Sequence, residues 1–473
     1  MPGLFDTLNL AARSLQAQQV GVQITGQNLA NANNPAYARQ RVDLQTSLAV
    51  PTANGLQGSG VEVAAIQQVR DALLDGQVRD ENSVGGFWQT QQSALQNMQT
   101  QLGEFLSGTA AGVNGADGAD SVQGLSSQLS SLFSAFQALS ASPTSASARL
   151  SLVSQAQSLA GSFNQIATRL NGVQANLNTS IGNDVDSANK LLSDIATLNG
   201  QIASAEASTH STANDLRDMR EQKLEDLAKL VNFQASSNSN GTVDISIGGA
   251  SIISGSTVVD TLQTYDAGGG QLKIQTATGG TPLTLSGGSI QGAIETRDGA
   301  LADLAGGINS IASTLVSQVN SIYSAGYSLT GSTGADFFTG TDAATIGVNS
   351  TLQTDPSLIQ AASVAGDSGN NGVALALAQL AGQPNAALGN KTFSDAYGQV
   401  VTQMGNALAN ANDQVTNQQA VAGMLANQRD SVSGVSMEEE MTNLVTFQRA
   451  YQASAQIMTT VNQMLETLVS IKS

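Results

Sequence analysis

Cysteine is absent from this 473-residue chain, histidine and tryptophan occur once each, and charged side chains make up only 11%. Without cysteine there can be neither a disulfide framework nor a thiolate metal site. The one histidine, His210, lies in Ser208-Thr209-His210-Ser211-Thr212 with no partner in sequence to orient it, so it is not read as a catalytic or ligating group. Basic residues number 18 against 36 acidic ones, a formal net charge of -18 with a pI near 4.2. Such a surface repels phosphate backbones and anionic lipids, which argues against nucleic acid as a partner. No run of about 18 apolar residues is present to span a bilayer, so no membrane insertion is expected. Met1-Pro2-Gly3-Leu4-Phe5-Asp6 lacks the basic and apolar regions of a cleaved secretory signal. Nucleophile elbow, Walker loop, zincin helix and dinucleotide fingerprint are all missing. Our reading is therefore no enzyme, no catalytic residue, no cofactor and no metal.

What the chain has is small residues and helical periodicity. Ala, Ser, Gln, Asn, Thr and Gly fill much of it, a composition suited to closely packed helices and subunits. Its length corresponds to about three domains at ~150 residues each.

The last stretch is the most informative. Ser436 with Glu439 forms a capping box, and Glu438, Glu439 and Glu440 sit where a helix dipole favours negative charge, so capping accounts for the acidic run. Met437, Met441, Leu444, Tyr451, Ala455, Met458, Leu465 and Leu468 recur at three- and four-residue steps with no Gly or Pro between them. Ile457, Val461, Met464 and Ile471 lie off that stripe, leaving the helix apolar on more than one side. Such a helix needs several neighbours. The first stretch supplies one: Leu8, Leu15, Val22 and Leu29 are seven apart, and Asn33-Asn34-Pro35 ends their helix.

Between the ends, helical steps run from about Asp71 to Leu106 with a break expected at Gly85-Gly86, and Trp88 is read as core packing. A Gly/Asp loop from Gly108 to Asp120 follows, in which Asp117 and Asp120 lack calcium-loop spacing. A helix is predicted over Val122 to Leu139, then a rod from Ser145 to about Ser208, roughly 95 Å long, with a stutter or break at Gly182-Asn183. Asp215-Leu216-Arg217-Asp218 opens another helix, whose charges three and four apart contribute only tenths of a kcal/mol per pair. The texture then changes. Asn240-Gly241 is a hairpin signal, and Val243, Ile245 and Ile247 alternate with polar residues. Helical steps return from Leu301 to Ile322, near Val373, and from Phe393 to Leu425.

Two motifs carry a resemblance. Asn28-Leu29-Ala30-Asn31-Ala32-Asn33-Asn34-Pro35-Ala36-Tyr37-Ala38-Arg39-Gln40 resembles the N-terminal signature of bacterial flagellar rod, hook and hook-associated proteins, with Asn34 in place of Thr and Ala36 in place of Gly. An alanine would resist a positive φ at that turn, so a different turn is expected. Asn443 to Ala453 resembles the matching C-terminal signature, and the segments Asp215 to Asn232 and Asp336-Phe337-Phe338 resemble the hook-associated branch. The motif residues Asn28, Asn31, Pro35, Tyr37, Arg39 and Gln40 are the candidate family site. The resemblance implies a structural subunit at the junction of hook and filament, exported without a cleaved signal and located outside the cell. It also implies as partners other copies of the chain in a ring or tube, the flagellar hook protein, the next hook-associated junction protein and a cytoplasmic export chaperone. A hook or distal-rod protein is the alternative of the same class, and a flagellum-borne hydrolase that of another.

The expected fold is mainly α with a small antiparallel β region, in nested elongated domains: a terminal coiled coil of residues 1–50 and 430–473, a long-helix rod of 51–232 and 292–429, and a β-rich insertion of 233–291. The expected assembly interface is Leu8, Leu15, Val22 and Leu29 with Met441, Leu444, Tyr451, Ile457, Met458, Val461, Met464, Leu465 and Leu468.

Overall fold

The computed structural model describes residues 4–34, 36–52, 55–106, 124–209 and 211–471. The expectations for His210, for Pro35 and for Gly108 to Asp120, including Asp117 and Asp120, lie outside these residues.

Helix α1 (Leu4–Ala30) is followed by a ribbon in which β1 (Gln40–Thr46) pairs antiparallel with β4 (Val61–Gln68), and the short strands β2 (Val50–Thr52) and β3 (Gly55–Gln57) pair beyond them. In sequence, Gly55, Gly58 and Gly60 read as an extended, turn-rich link. Its glycines do make turns, and Gly55 and Gly60 take φ of 109° and 105°, but they punctuate a ribbon that folds back along α1.

Helix α2 (Ala72–Leu106) is continuous through Gly85-Gly86, contrary to the expected break. A Cβ on Gly86 would lie 2.2 Å from the Lys229 carbonyl oxygen, and one on Gly292 would lie 2.5 Å from that of Phe87. Glycine here permits close approach of neighbouring helices rather than a kink. Trp88 is half-buried and meets the edge of Phe87 at 5.0 Å, so it is not the core residue expected.

Helices α3 (Leu125–Ala141) and α4 (Ala146–Thr209) follow. The 64 residues of α4 are one helix, unbroken at Gly182-Asn183. A single glycine facing open space costs only about 1 kcal/mol against alanine, too little to interrupt a helix with partners on both sides of it in sequence. Leu159, Phe163, Ile166, Leu170, Val173, Leu177, Ile181 and Val185 are all buried along it. Helix α5 (Asn214–Leu230) packs back on α4 and α2.

The β-rich segment holds a four-stranded antiparallel sheet ordered β5 (Gln234–Ser237), β6 (Val243–Ile247), β7 (Ala250–Ser254), β8 (Thr257–Val258), and a separate hairpin of β9 (Leu262–Asp266) and β10 (Leu272–Thr276). Two asparagines of α4 hold it. Asn199 Nδ2 donates to the carbonyls of Val243 and Gly255, at 2.8 and 2.7 Å, and Asn189 exchanges two hydrogen bonds with the Leu262 backbone. Helix α6 (Gly288–Thr296), a π turn (Arg297–Leu301) and α7 (Ala302–Tyr323) then run on as one rod. A minimal pair β11 (Phe338–Thr339) and β12 (Gly347–Val348), and the short helices α8 (Ser350–Thr354) and α9 (Gly372–Gln379), close the far end of the core around Phe136, Tyr323 and Phe337. Helix α10 (Phe393–Ser433) returns along α2, and α11 (Met437–Ile471) lies against α1.

The chain thus leaves and re-enters one terminal pair, α1 with α11 and the ribbon, and everything else is inserted between them. Among the described residues, the fold is mainly helical with small antiparallel sheets.

Candidate assembly site

Asn28, in the last turn of α1, is 1% exposed and uses its whole hydrogen-bonding capacity. Its Oδ1 accepts from the Gln40 amide at 3.0 Å and from the Tyr37 hydroxyl at 2.8 Å. Its Nδ2 donates to the Gln40 carbonyl at 2.8 Å and to Glu440 Oε2 at 3.0 Å. Asparagine alone offers a carbonyl and an amide at that reach, so Asn28 ties the end of α1 to both the ribbon and α11. Burial, with Asp215, Asp218 and Glu440 nearby, pushes the Tyr37 phenol well above its ordinary range and keeps it a donor.

Arg39 makes the second tie. Its Nε donates to Glu440 Oε1 at 2.8 Å, and its two terminal nitrogens form a fork on Glu439, at 2.8 and 3.1 Å. Its backbone N–H donates to the Ser433 carbonyl and its carbonyl accepts from the Val69 amide, at 2.9 and 2.8 Å. One residue therefore joins the end of α10, the start of α11 and the exit of the ribbon. Capping accounts for only part of the acidic run: the Glu439 amide donates to the Ser436 hydroxyl at 3.5 Å and all three glutamates lie in the first turn, but Glu439 and Glu440 also reach Arg39. Hydrogen bonding by Arg39 holds the Glu439 carboxyl below the usual range.

The Asp215 to Asp218 segment meets the same motif. Gln40 Nε2 donates to Asp215 Oδ1 at 2.8 Å, Gln27 Nε2 reaches the same carboxylate at 3.2 Å, and the Ala38 amide donates to Asp218 Oδ2 at 3.3 Å. Two charges on α5 look outward, Arg217 pairing with Glu206 at 2.7 Å and Lys223 with Asp194 at 3.0 Å, both on α4, whereas Lys229 pairs with Asp226 of its own helix at 2.9 Å. Motifs separated by about 175 positions thus form one joint. The Asn31 side chain stays local, its Nδ2 donating to the Gln27 carbonyl at 3.0 Å. Ala36 does not enter the left-handed region: among the described non-glycine residues only Asn390 has a positive φ, and the Asn34 side chain closes the turn by accepting from the Ala36 amide at 3.2 Å. No signal in the sequence named Gln27, Ala38 or Glu440 as part of this joint.

The leucine stripe of α1 is not its buried face. Leu8, Leu15, Val22 and Leu29 are half-buried, while Ala11, Ala17, Gly21, Ile24, Thr25 and Asn28 are buried. Small residues let the helices approach closely, and a Cβ on Gly21 would lie 2.6 Å from the Phe447 ring. Ser14 and Ser454 hydroxyls meet across the pair at 2.9 Å. On α11 Val461 is buried, Leu444, Met458 and Leu465 are half-buried, and Met441, Tyr451, Ile457, Met464 and Leu468 are exposed. Near the free ends an open groove of about 640 Å³ is lined by Leu4, Thr7, Ile457, Thr460, Val461 and Met464. Among the described residues no group of three His, Cys, Asp or Glu is placed to hold a metal ion, and no helix is long and apolar enough to cross a membrane.

Comparison with known proteins bears on this geometry. Residues 118–338, spanning α3 to the start of β11, match the profile described as flagellar hook-associated protein FlgK helical domain, and 426–471 match flagellar basal body rod FlgEFG protein C-terminal. Flagellar hook-associated protein 1 of Bacillus subtilis (strain 168) is 28% identical, with 99% of each chain covered, and its namesake in Escherichia coli (strain K12) is 25% identical, with 98% and 99% covered. The chain is thus similar to flagellar hook-associated proteins along nearly its whole length. The structure of the flagellar hook junction protein FlgK from Burkholderia pseudomallei superposes with a TM-score of 0.63 at 17% identity, over 76% of this chain and 100% of that one, which shows the shared fold. These likenesses support a structural component of the flagellum.

Proposed function

We propose that this chain joins the flagellar hook to the filament, as a subunit that assembles through its terminal helices and carries out no reaction of its own. The observation that carries this reading is the contrast within α11: its base is locked to Arg39 and Asn28, whereas Met441, Ile457, Met464 and Leu468 remain exposed. Apolar side chains recurring along a helix that is firmly held at one end are suited to packing against the same helices of other copies. The rod, from α2 to α10, then forms the outer wall, and the β-rich segment 233–291 stands on α4 as an insertion. Because β1 and β4 form one ribbon, the terminal unit extends to Gln68. Its partners in this reading are copies of itself, the hook protein on one side, the next hook-associated protein on the other, and an export chaperone in the cytoplasm before secretion without a cleaved signal.

The test is Met464→Asp. Because Met464 is 51% exposed, the monomer should fold and be exported, but incorporation should fail, since a charge would be buried between subunits. Cells lacking the protein should keep their hooks and shed filament protein into the medium. Normal incorporation of the variant, or normal filaments without the protein, overturns the reading.

A further inference from the structure

Strand β5 stands at the open edge of its sheet, and all four of its residues are exposed. Ladder parity fixes which of its backbone groups face outward. The Asn238 amide donates to the Thr242 carbonyl at 2.9 Å, so 238 and 242 are a hydrogen-bonded pair, and the register continues it through Ser236 with Asp244 and Gln234 with Ser246. The N–H and C=O of Ala235 and Ser237 therefore point away from β6, and among the described residues nothing bonds to them. Gln234-Ala235-Ser236-Ser237 carries neither the proline, the lysine nor the bulge that commonly guards such an edge. At the head of the strand, between the sheet and α2, opens a cavity of about 570 Å³ whose lining includes Arg79, Asp80, Ser83, Asn232, Gln234 and Ser246. Ser83 is 5% exposed and its hydroxyl has no hydrogen-bond partner, while Gly287 leaves it room. A buried hydroxyl in that state points to an occupant. A row of free N–H and C=O groups is complemented by another extended backbone.

We propose that β5 and this cavity receive the outer end of the ribbon, strand β3, of a second copy of the chain, so that neighbouring copies share a β-ladder. Three observations select this occupant. The site is bordered by Asp80 and, on β6, Asp244 in a chain of net charge -18, so an acidic segment is repelled, whereas no charged residue lies between Asp43 and Glu62. Among the described residues β2 and β3 pair only with each other, which leaves the end of the ribbon with open edges of its own. Pro51 has no N–H to offer on β2, so β3 supplies the usable edge. Run antiparallel to β5, β3 ends beside Gln234, and the chain beyond Gln57 enters the cavity that Ser83 lines. The contact joins two different edges and therefore propagates from copy to copy, as a ring or tube requires. Strands of three and four residues form few hydrogen bonds, so the ladder closes only where the terminal helices have already set copies side by side. The pairing thus rests on the assembly reading above and names one surface by which adjacent copies meet.

Because the chain has no cysteine, introduced ones report this contact without background. Chains carrying Ser237→Cys and, separately, Gln57→Cys or Gly58→Cys are co-expressed with different tags in cells lacking the wild-type protein, and isolated flagella are treated with a short bis-maleimide. Successive side chains alternate in a strand, so one of the two ribbon positions shares a face with Ser237. The result expected is a linked pair bearing both tags, in a yield roughly ten-fold or more above that of the same chains as dilute monomers. Ala235→Pro removes an outward N–H while sparing the ladder to β6, and should cut the yield about ten-fold; if that chain misfolds, Ser237→Pro read with Ala235→Cys replaces it. Ser83→Ala should cut it roughly three-fold, through the loss of one hydrogen bond. Flagella that contain the chain but yield no doubly tagged pair, Ser237→Cys linked only to itself or to another protein, or a yield unmoved by these substitutions overturns the pairing and leaves the assembly reading standing. Flagella without the chain overturn both.

Discussion

Helices α4 and α11 have similar periodicity and opposite fates. In α4, 21 of 64 residues are buried, whereas among the described side chains of α11 only Glu440, Ser454 and Val461 are, and two of those three are polar. The difference is not in hydrophobic content but in the partners that one chain supplies. Around α4 stand α3, α5, α6, α7 and the β-rich segment; beside α11 there is chiefly α1. A helix that finds its neighbours in its own chain becomes a core, and one that does not keeps its apolar face for other molecules. The terminal pair is accordingly fixed by polar ties at its base more than by apolar burial along its length.

Truncation of the rod core should have the largest effect on this comparison. Phe163→Ala on α4 should destabilise the chain by about 3–5 kcal/mol in urea unfolding, because the cavity lies in a packed interior. Met464→Asp on α11 should shift the same curve by less than about 0.5 kcal/mol while abolishing incorporation. Equal destabilisation by the two would erase the distinction between core and assembly helix.

Next come the ties at the base. Arg39→Ala leaves Glu440, 2% exposed, without its cation, and should cost about 2–3 kcal/mol at the joint. The cost should appear as faster proteolytic cleavage near Gly434 with α4 still protected from exchange; loss of protection throughout would mean that joint and rod unfold as one unit. Close-approach glycines sharpen the same contrast. Gly86→Ala places a methyl group on the rigid Lys229 backbone and should destabilise by about 1–3 kcal/mol, whereas Gly21→Ala meets only the movable Phe447 ring and should cost less.

Glu439→Gln should have the smallest effect. Its ion pair is more than half exposed on the glutamate side, so screening leaves only a few tenths of a kcal/mol. As Arg39 depresses the Glu439 carboxyl, that small contribution is present above the ordinary glutamate pKa and disappears as pH falls through the lower folded value. Unfolding curves of wild type and variant at pH 3 and 7 should converge at the lower pH.

Much of the rod was legible from local pattern. Leu159 to Leu177 step through α4 at helical spacing, and the alternation at Val243, Ile245 and Ile247 marks β6. The pairing of the β1–β4 ribbon was not, although Val61-Glu62-Val63 alternates, because the glycines at 55, 58 and 60 suggested an extended, turn-rich link. The leucines of α1 drew attention from its alanines and Gly21, since a close helix contact is made by the residues with least side chain. The roles of Arg39, Glu439 and Glu440 were hidden because about 400 positions separate partners that meet within 3 Å.

The sequence by itself determined where helices run, that the chain begins and ends on amphipathic ones, and which motifs liken it to flagellar hook-associated proteins, because periodicity and short-range motifs are local properties. Only the tertiary structure decided that Asn28, Arg39, Asp215, Asp218 and Glu440 form one joint, and that Gly86, expected to break α2, instead brings α5 against it. Hydrogen bonds and ion pairs act over about 3 Å in space whatever the separation along the chain, so their partners exist only once the fold has brought them together.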